Sequence, residues 1–208
     1  PIASGVITSR QAYSVALFFV FVALGLGWVL SPTVAGALLG YAVLMYAYSC
    51  GLKRVPIIDL LVIALGFVIR IFVGGAAISV VLSGWLIGCT FIVALLLGLG
   101  KRIVELQRMQ GTETRKTLGF YTRERTIWME RVLSVCAVLT YLAYTLFGKH
   151  SAWMALSVFP VMIGVYRYSV LLTQTQVEGP TEMLTKDRGL QFALVSWMFV
   201  IVLVLLRT

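Results

Sequence analysis

Cations and a few carboxylates stand at short spacings beside long apolar runs. The segment Tyr48-Ser-Cys-Gly-Leu-Lys53-Arg54-Val-Pro-Ile-Ile-Asp59 sets two cations shortly ahead of one carboxylate. Arg and Lys stabilise phosphate oxygens, whereas a carboxylate orients a cation, accepts a proton or holds a divalent metal. Lys53 and Arg54 read alone are ordinary loop cations, and Asp59 is an ordinary first-turn carboxylate facing a helix dipole, with Pro56 near the helix start. Arg70 shifts that balance. It follows Asp59 by about three turns, which places it on nearly the same helix face and ~16 Å deeper. Gly66 lies on that face between them and leaves room for a ligand or another backbone. An Arg inside an apolar span costs at least ~2.5–3.5 kcal/mol, so it should face a polar cavity or a charge partner.

A second cluster, Gly98-Leu-Gly-Lys101-Arg102-Ile-Val-Glu105-Leu, closes another apolar run. Lys101, Glu105 and Arg108 share one helix face, and the spacing predicts a Lys101–Glu105 pair at i,i+4. Lys101 is followed by Arg rather than Ser or Thr, so no phosphate-loop motif is present. The polar stretch from Gln107 to Arg125 carries Thr114-Arg115-Lys116 and Tyr121-Thr122-Arg123, and suits either a solvated linker or a lid. Val165-Tyr166-Arg167-Tyr168 puts a second Arg inside a span, and Asp187-Arg188 closes the loop that follows it. His150 stands without ligand companions.

The elements that carry these residues are membrane spans. Hydrophobic residues make up 60% of the 208 and charged residues only 12%, with a mean hydropathy of +0.97. A soluble domain averages about 25% charged, so this chain lacks the polar surface to face water. Apolar runs of ~20 residues, the length that crosses the hydrocarbon core, lie near residues 12–30, 33–50, 57–81, 84–100, 126–147, 151–172 and 189–206. The expectation is an all-α polytopic membrane bundle of about seven transmembrane helices, forming one domain over 1–208. Gly36/Gly40 and Gly84/Gly88 have the spacing that permits close helix approach. Cys50, Cys89 and Cys136 form no CxxC pair and read as apolar filler.

The net charge of +9 must be read by position in a membrane protein, so it argues orientation and not nucleic-acid binding. Arg10, Lys53, Arg54, Lys101, Arg102, Arg115, Lys116 and Arg188 fall on the side of the chain's start, which the positive-inside rule makes cytoplasmic. The eight acidic residues gather at or near that side too. Cations and carboxylates from several helices thus converge on one mouth of an apolar bundle, which suits a substrate anionic at one end and lipid at the other.

Pro1-Ile-Ala-Ser-Gly5, the segment Tyr48…Leu52-Lys53-Arg54…Asp59 and the order of spans resemble the UbiA-type intramembrane prenyltransferase superfamily. Within it, Gly100-Lys101-Arg102-x-x-Glu105-Leu106, Thr114-Arg115-Lys116, Arg167-Tyr168 and Asp187-Arg188 are similar to the decaprenyl-phosphate phosphoribosyltransferase family. The resemblance runs over essentially the whole chain. It implies a bundle of nine spans, PRPP bound on the cytosolic side, and a polyprenyl phosphate entering from the bilayer. Ribose 5-phosphate is transferred to the lipid phosphate with inversion, pyrophosphate leaves, and Mg²⁺ is required. On this resemblance Tyr48, Lys53, Arg54, Arg70, Lys101, Arg102, Arg115, Lys116, Arg167 and Arg188 are the expected substrate-binding residues. Asp59 and Glu105 are the expected catalytic carboxylates, orienting cations or supporting the metal shell.

The superfamily's first Mg²⁺ motif, Asn-Asp-x-x-Asp-x-x-x-Asp, belongs just ahead of the Pro-Ile-Ala-Ser-Gly segment. The sequence contains no Asn and starts at Pro1, so the expectation is a C-terminal portion of the enzyme with its main metal motif upstream. The expected location is a bacterial inner membrane with the active face cytoplasmic, and a homo-oligomer is compatible with this reading. Two other functions compete with it. One is prenyl transfer to an aromatic acceptor, against which the unusual Lys101-Arg102-x-x-Glu105 counts. The other is an anion transporter or channel lined by Arg70 and Arg167.

Overall fold

The computed structural model describes residues 8–108, 121–148, 152–174 and 179–207. The described residues form helices and connecting turns, with no strand among them. In chain order the helices are α1 (Ser9–Leu30), α2 (Pro32–Cys50), α3 (Ile58–Ala77), α4 (Gly84–Arg108), α5 (Arg123–Phe147), α6 (Val158–Thr173), α7 (Pro180–Lys186) and α8 (Arg188–Leu205). Short 3₁₀ turns at Leu52–Arg54 and Ala152–Ser157 precede α3 and α6.

Local chemistry sets several of these boundaries. Thr8 and Gln11 form a reciprocal capping box at the start of α1, satisfying donors that the first turn leaves free. Ser31 ends α1 and caps α2, its hydroxyl accepting from Val34 N at 3.2 Å, with Pro32 in the first turn where its missing N–H costs nothing. Thr122 caps α5, and Asp187 caps α8 by accepting from Leu190 N at 2.9 Å.

Among the described residues six helical stretches are long and apolar enough to cross a membrane. The seventh expected span corresponds to α8, whose apolar stretch Arg188–Val204 is shorter. α4 runs past Gly100 to Arg108, and α5 begins at Arg123, so the polar stretch between them is shorter than the sequence suggests.

Successive helices pack in order from α1 to α6, and α8 closes against α6. α4 is the hub, meeting α3, α5, α6 and α7. Leu96, Ile103 and Val104 of α4 pack with Tyr168, Leu171 and Leu172 of α6 and Leu190 of α8. Leu60, Leu99 and Tyr121 make a second core on the other side of α4. Close approach occurs at glycines other than the expected pairs. A side chain at Gly98 would meet Leu60 at 3.2 Å and one at Gly100 would lie 1.9 Å from the Tyr168 hydroxyl, whereas Gly36, Gly40 and Gly84 have nothing within 4 Å. Among the described residues those last three face open space, so the expected spacing makes no close helix contact there.

Large apolar side chains such as Phe21, Leu139 and Phe192 lie exposed, while Asp59, Arg102 and Glu130 are buried. A water-facing protein shows the reverse distribution. A bundle surrounded by hydrocarbon keeps ionisable groups inside.

Candidate functional site

Asp59 begins the site because its position leaves it no water. It sits in the first turn of α3 and is fully buried. Arg102, about five turns into α4, is also buried and places Nη2 2.7 Å from Asp59 Oδ2. Its Nη1 donates to Glu105 one turn further on. Arg102 is therefore clamped between two carboxylates, and its buried Nε has no hydrogen-bond partner among the described residues.

Lys101 is exposed, and Glu105 is engaged by Arg102 rather than by Lys101. The expected i,i+4 pair is thus replaced by an i,i+3 pair. The reason is rotational: one residue along a helix turns the side chain by about 100°, which directs Arg102 toward α3 and Lys101 outward.

Tyr121 completes the network. It is buried, donates its hydroxyl to Asp59 Oδ1 at 3.1 Å and accepts from Ile57 N at 2.8 Å. Ile57 has φ 68°, a conformation that a β-branched residue rarely adopts. The strain persists because Tyr121 and the helix start around it hold the backbone from both sides. Burial pushes the Tyr121 phenol up to about 12, and the Asp59 carboxylate beside it acts in the same direction. The phenol therefore stays protonated and donating at neutral pH.

Three of the remaining expected residues share this end of the bundle. Lys53 is half-buried and Arg54 exposed on the 3₁₀ turn that ends at Val55, two residues before Ile57. Tyr48 is half-buried on the last turn of α2, within electrostatic range of Arg102. Lys53, Arg54, Lys101 and Arg102 outnumber Asp59 and Glu105, so the cluster retains positive charge.

Other expected residues lie apart. Arg70 is exposed on α3, donates to the Tyr41 hydroxyl of α2, and stacks 5.0 Å from the Tyr41 ring and 4.9 Å from the Phe67 ring. Gly66 permits this, since a Cβ there would meet Met45 at 3.3 Å and Tyr41 at 3.5 Å. The room it leaves is filled by α2. Arg167 forks onto Asp187, with Nη2 2.8 Å from Oδ2 and Nε 3.1 Å from Oδ1, so α6 is strapped to the start of α8. That guanidinium, with the N–H groups of α8, holds the Asp187 carboxyl below its ordinary value. Arg188 is exposed. Arg115, Lys116 and His150 lie outside the described residues.

Two features escaped the sequence reading. Tyr121 was visible only as part of a polar stretch, although its partner Asp59 is 62 positions away. Glu130 was not singled out, yet it is buried and bonded to serines of two helices. A carboxylate within an otherwise apolar helix was the available signal.

Among the described residues no three His, Cys, Asp or Glu side chains group as a metal site. Asp59 and Glu105 both neutralise Arg102, so as arranged they do not fit a Mg²⁺ shell, which demands open carboxylate oxygens.

The sequence matches the UbiA prenyltransferase family over residues 1–195. It is 30% identical over 210 residues to a decaprenyl-phosphate phosphoribosyltransferase of Mycolicibacterium smegmatis, covering 95% of this chain and 66% of the relative. A protein of the same description from Mycobacterium tuberculosis is 30% identical over 201 residues, covering 95% and 67%. The chain thus spans about two thirds of the length of the curated relatives it matches. The solved structure of a UbiA homologue from Archaeoglobus fulgidus bound to Cd²⁺ superposes with a TM-score of 0.74 at 20% identity, over 96% of this chain and 74% of that one.

Proposed function

Because the chain belongs to the UbiA prenyltransferase family, we propose that it contributes to a membrane transferase moving 5-phosphoribosyl from PRPP to a polyprenyl phosphate. In that reaction a lipid phosphate oxygen bonds to the ribose anomeric carbon, with inversion, as the bond to pyrophosphate breaks. The observation that carries the reading is the buried Arg102, clamped by Asp59 and Glu105 beneath a surplus of cations. A site built for anions at the end of an apolar bundle suits two phosphorylated substrates, one of them a lipid. The names of the mycobacterial relatives support the same pair.

Lys53, Arg54 and Lys101 then contact phosphate oxygens directly, and Tyr48 lines the approach. Asp59 and Glu105 hold Arg102 at a fixed angle and neutralise it, so the positive charge preorganised for the substrates comes from Lys53, Arg54 and Lys101. Arg70, Arg167, Arg188, Arg115 and Lys116 are further proposed substrate contacts outside this cluster, with Arg70 held by Tyr41 and Arg167 by Asp187. Mg²⁺ would neutralise charge developing on pyrophosphate. Asp59 and Glu105 are engaged by Arg102, so they do not supply that metal's shell. The working face is the cytosolic one of a bacterial inner membrane.

The test is pyrophosphate release from PRPP by the full-length protein, with a polyprenyl phosphate as acceptor. Lys101→Met should raise the PRPP concentration needed for half-maximal rate more than that of the lipid. Release from a prenyl diphosphate with an aromatic acid instead of PRPP would favour the prenyl-transfer reading. Anion flux in liposomes without turnover would replace the enzyme by a transporter.

A further inference from the structure

A groove of ≈ 670 Å³ runs between α5 and α6, on a different part of the bundle from the Asp59–Arg102–Glu105 cluster. Its rim residues Val135, Leu139, Met162 and Tyr166 are exposed, so it opens toward the bilayer. Glu130 forms part of its wall and is only 3% exposed. The Ser134 hydroxyl donates to Glu130 Oε1 at 2.8 Å and the Ser169 hydroxyl donates to the same oxygen at 2.6 Å. Oε2 has no hydrogen-bond donor among the described residues, and no described cation pairs with the carboxylate.

Arg131 lines the same groove and is exposed. Consecutive helix residues do not face one another, so Arg131 does not neutralise Glu130. The groove therefore carries a positive and a negative group on consecutive residues, neither paired with a counter-charge among the described residues.

Depth narrows the ligand. A span of ~20 residues crosses the hydrocarbon, so counting back from Phe147 at the end of α5 puts the other boundary near Trp128. Trp128 is exposed, and exposed Trp is enriched at that level. Glu130 and Arg131 thus lie at the junction of headgroups and hydrocarbon, and the groove below them is lined by Val138, Leu139 and Met162.

We infer that this groove seats one membrane phospholipid whose headgroup carries both a phosphodiester and a primary ammonium. The phosphodiester meets Arg131, the ammonium donates to Glu130 Oε2, and an acyl chain lies along Val138, Leu139 and Met162. An anionic lipid without an amine satisfies Arg131 but sets its phosphate beside the Glu130 carboxylate. A choline headgroup has no N–H to donate. A polyprenyl phosphate shares the first defect, so this site is distinct from one for the acceptor lipid.

The experiment is native mass spectrometry of the full-length, delipidated protein with equal amounts of palmitoyl-oleoyl phosphatidylethanolamine, phosphatidylglycerol and phosphatidylcholine, and with a polyprenyl phosphate. Phosphatidylethanolamine should be retained at least about fivefold over each of the others, a difference of roughly 1 kcal/mol. Glu130→Gln should abolish that preference, and Arg131→Gln should weaken retention of all four lipids. Equal or better retention of phosphatidylglycerol or polyprenyl phosphate overturns the proposal, as does a preference that survives Glu130→Gln. If Glu130→Gln does not fold, stepwise N-methylation of the phosphatidylethanolamine headgroup decides. Retention should then fall with each methyl group, and a flat series overturns the assignment.

Discussion

Arg102→Met probes how the α3–α4 end is held together. The Arg102–Asp59 pair is 2.7 Å long, with side chains 5% and 0% exposed. Removing one partner of such a pair costs about 3–5 kcal/mol, because the other charge stays buried without compensation. Tyr121 would still donate to Asp59 Oδ1, and Glu105 at 24% exposure can reach water. The expected loss is therefore ~3–4 kcal/mol, the lower part of that range. Asp59→Asn should cost less, ~1–3 kcal/mol, since Glu105 still neutralises Arg102 and only hydrogen bonding suffers. The double variant removes both charges, and coupling of ~3 kcal/mol, the upper end for residues in contact, exceeds the mid-range Asp59→Asn cost and should make it ~1 kcal/mol more stable than Arg102→Met alone. Thermal midpoints in detergent at fixed lipid content read this out. Arg102→Met should drop on the order of 10 °C, and the double variant should regain about a third of it. Pyrophosphate release should remain low in the double variant, separating the orienting role of Arg102 from its effect on folding. Losses in the double variant that equal the sum of the two single losses would refute the coupling.

Tyr121→Phe deprives Ile57 N–H and Asp59 Oδ1 of a partner and should cost ~1–3 kcal/mol in denaturation experiments. The raised phenol also predicts a pH effect: the native state keeps a proton that the unfolded chain loses near pH ~10, so this contribution is full below ~10 and declines toward ~12. Wild type should lose stability faster than Tyr121→Phe over that window, and equal slopes would contradict the assignment. Arg70→Met should cut turnover about a hundredfold, roughly 2.7 kcal/mol of barrier, with the bundle folded; full activity would remove Arg70 from the site. Gly100→Ala drives a methyl into the Tyr168 hydroxyl and should cost ~1–3 kcal/mol as overpacking. Tyr168→Phe should relieve part of that cost in a melting experiment, and no relief would locate the strain elsewhere.

Membrane residence and the all-helical class follow from the sequence alone, because a hydrocarbon slab imposes a length of ~20 apolar residues on any helix that crosses it. Helix boundaries at Ser31-Pro32 and Thr122 are equally local, since a cap needs only its own first turn. The sequence also identified Asp59, Arg102 and Glu105 as chemically significant, because a charge beside an apolar run must be accommodated. What it did not determine is which cation turns inward. Lys101 and Arg102 differ by one residue, and only the packing of α4 against α3 selects Arg102 for the carboxylates and leaves Lys101 outside. Tyr121 reached Asp59, and Glu130 met Ser169 of another helix, through contacts 62 and 39 positions apart. Arg70 found a phenol and two ring faces in place of a carboxylate for the same reason. Helix periodicity places a side chain on a face, but the identity of the neighbouring face is a property of the folded bundle.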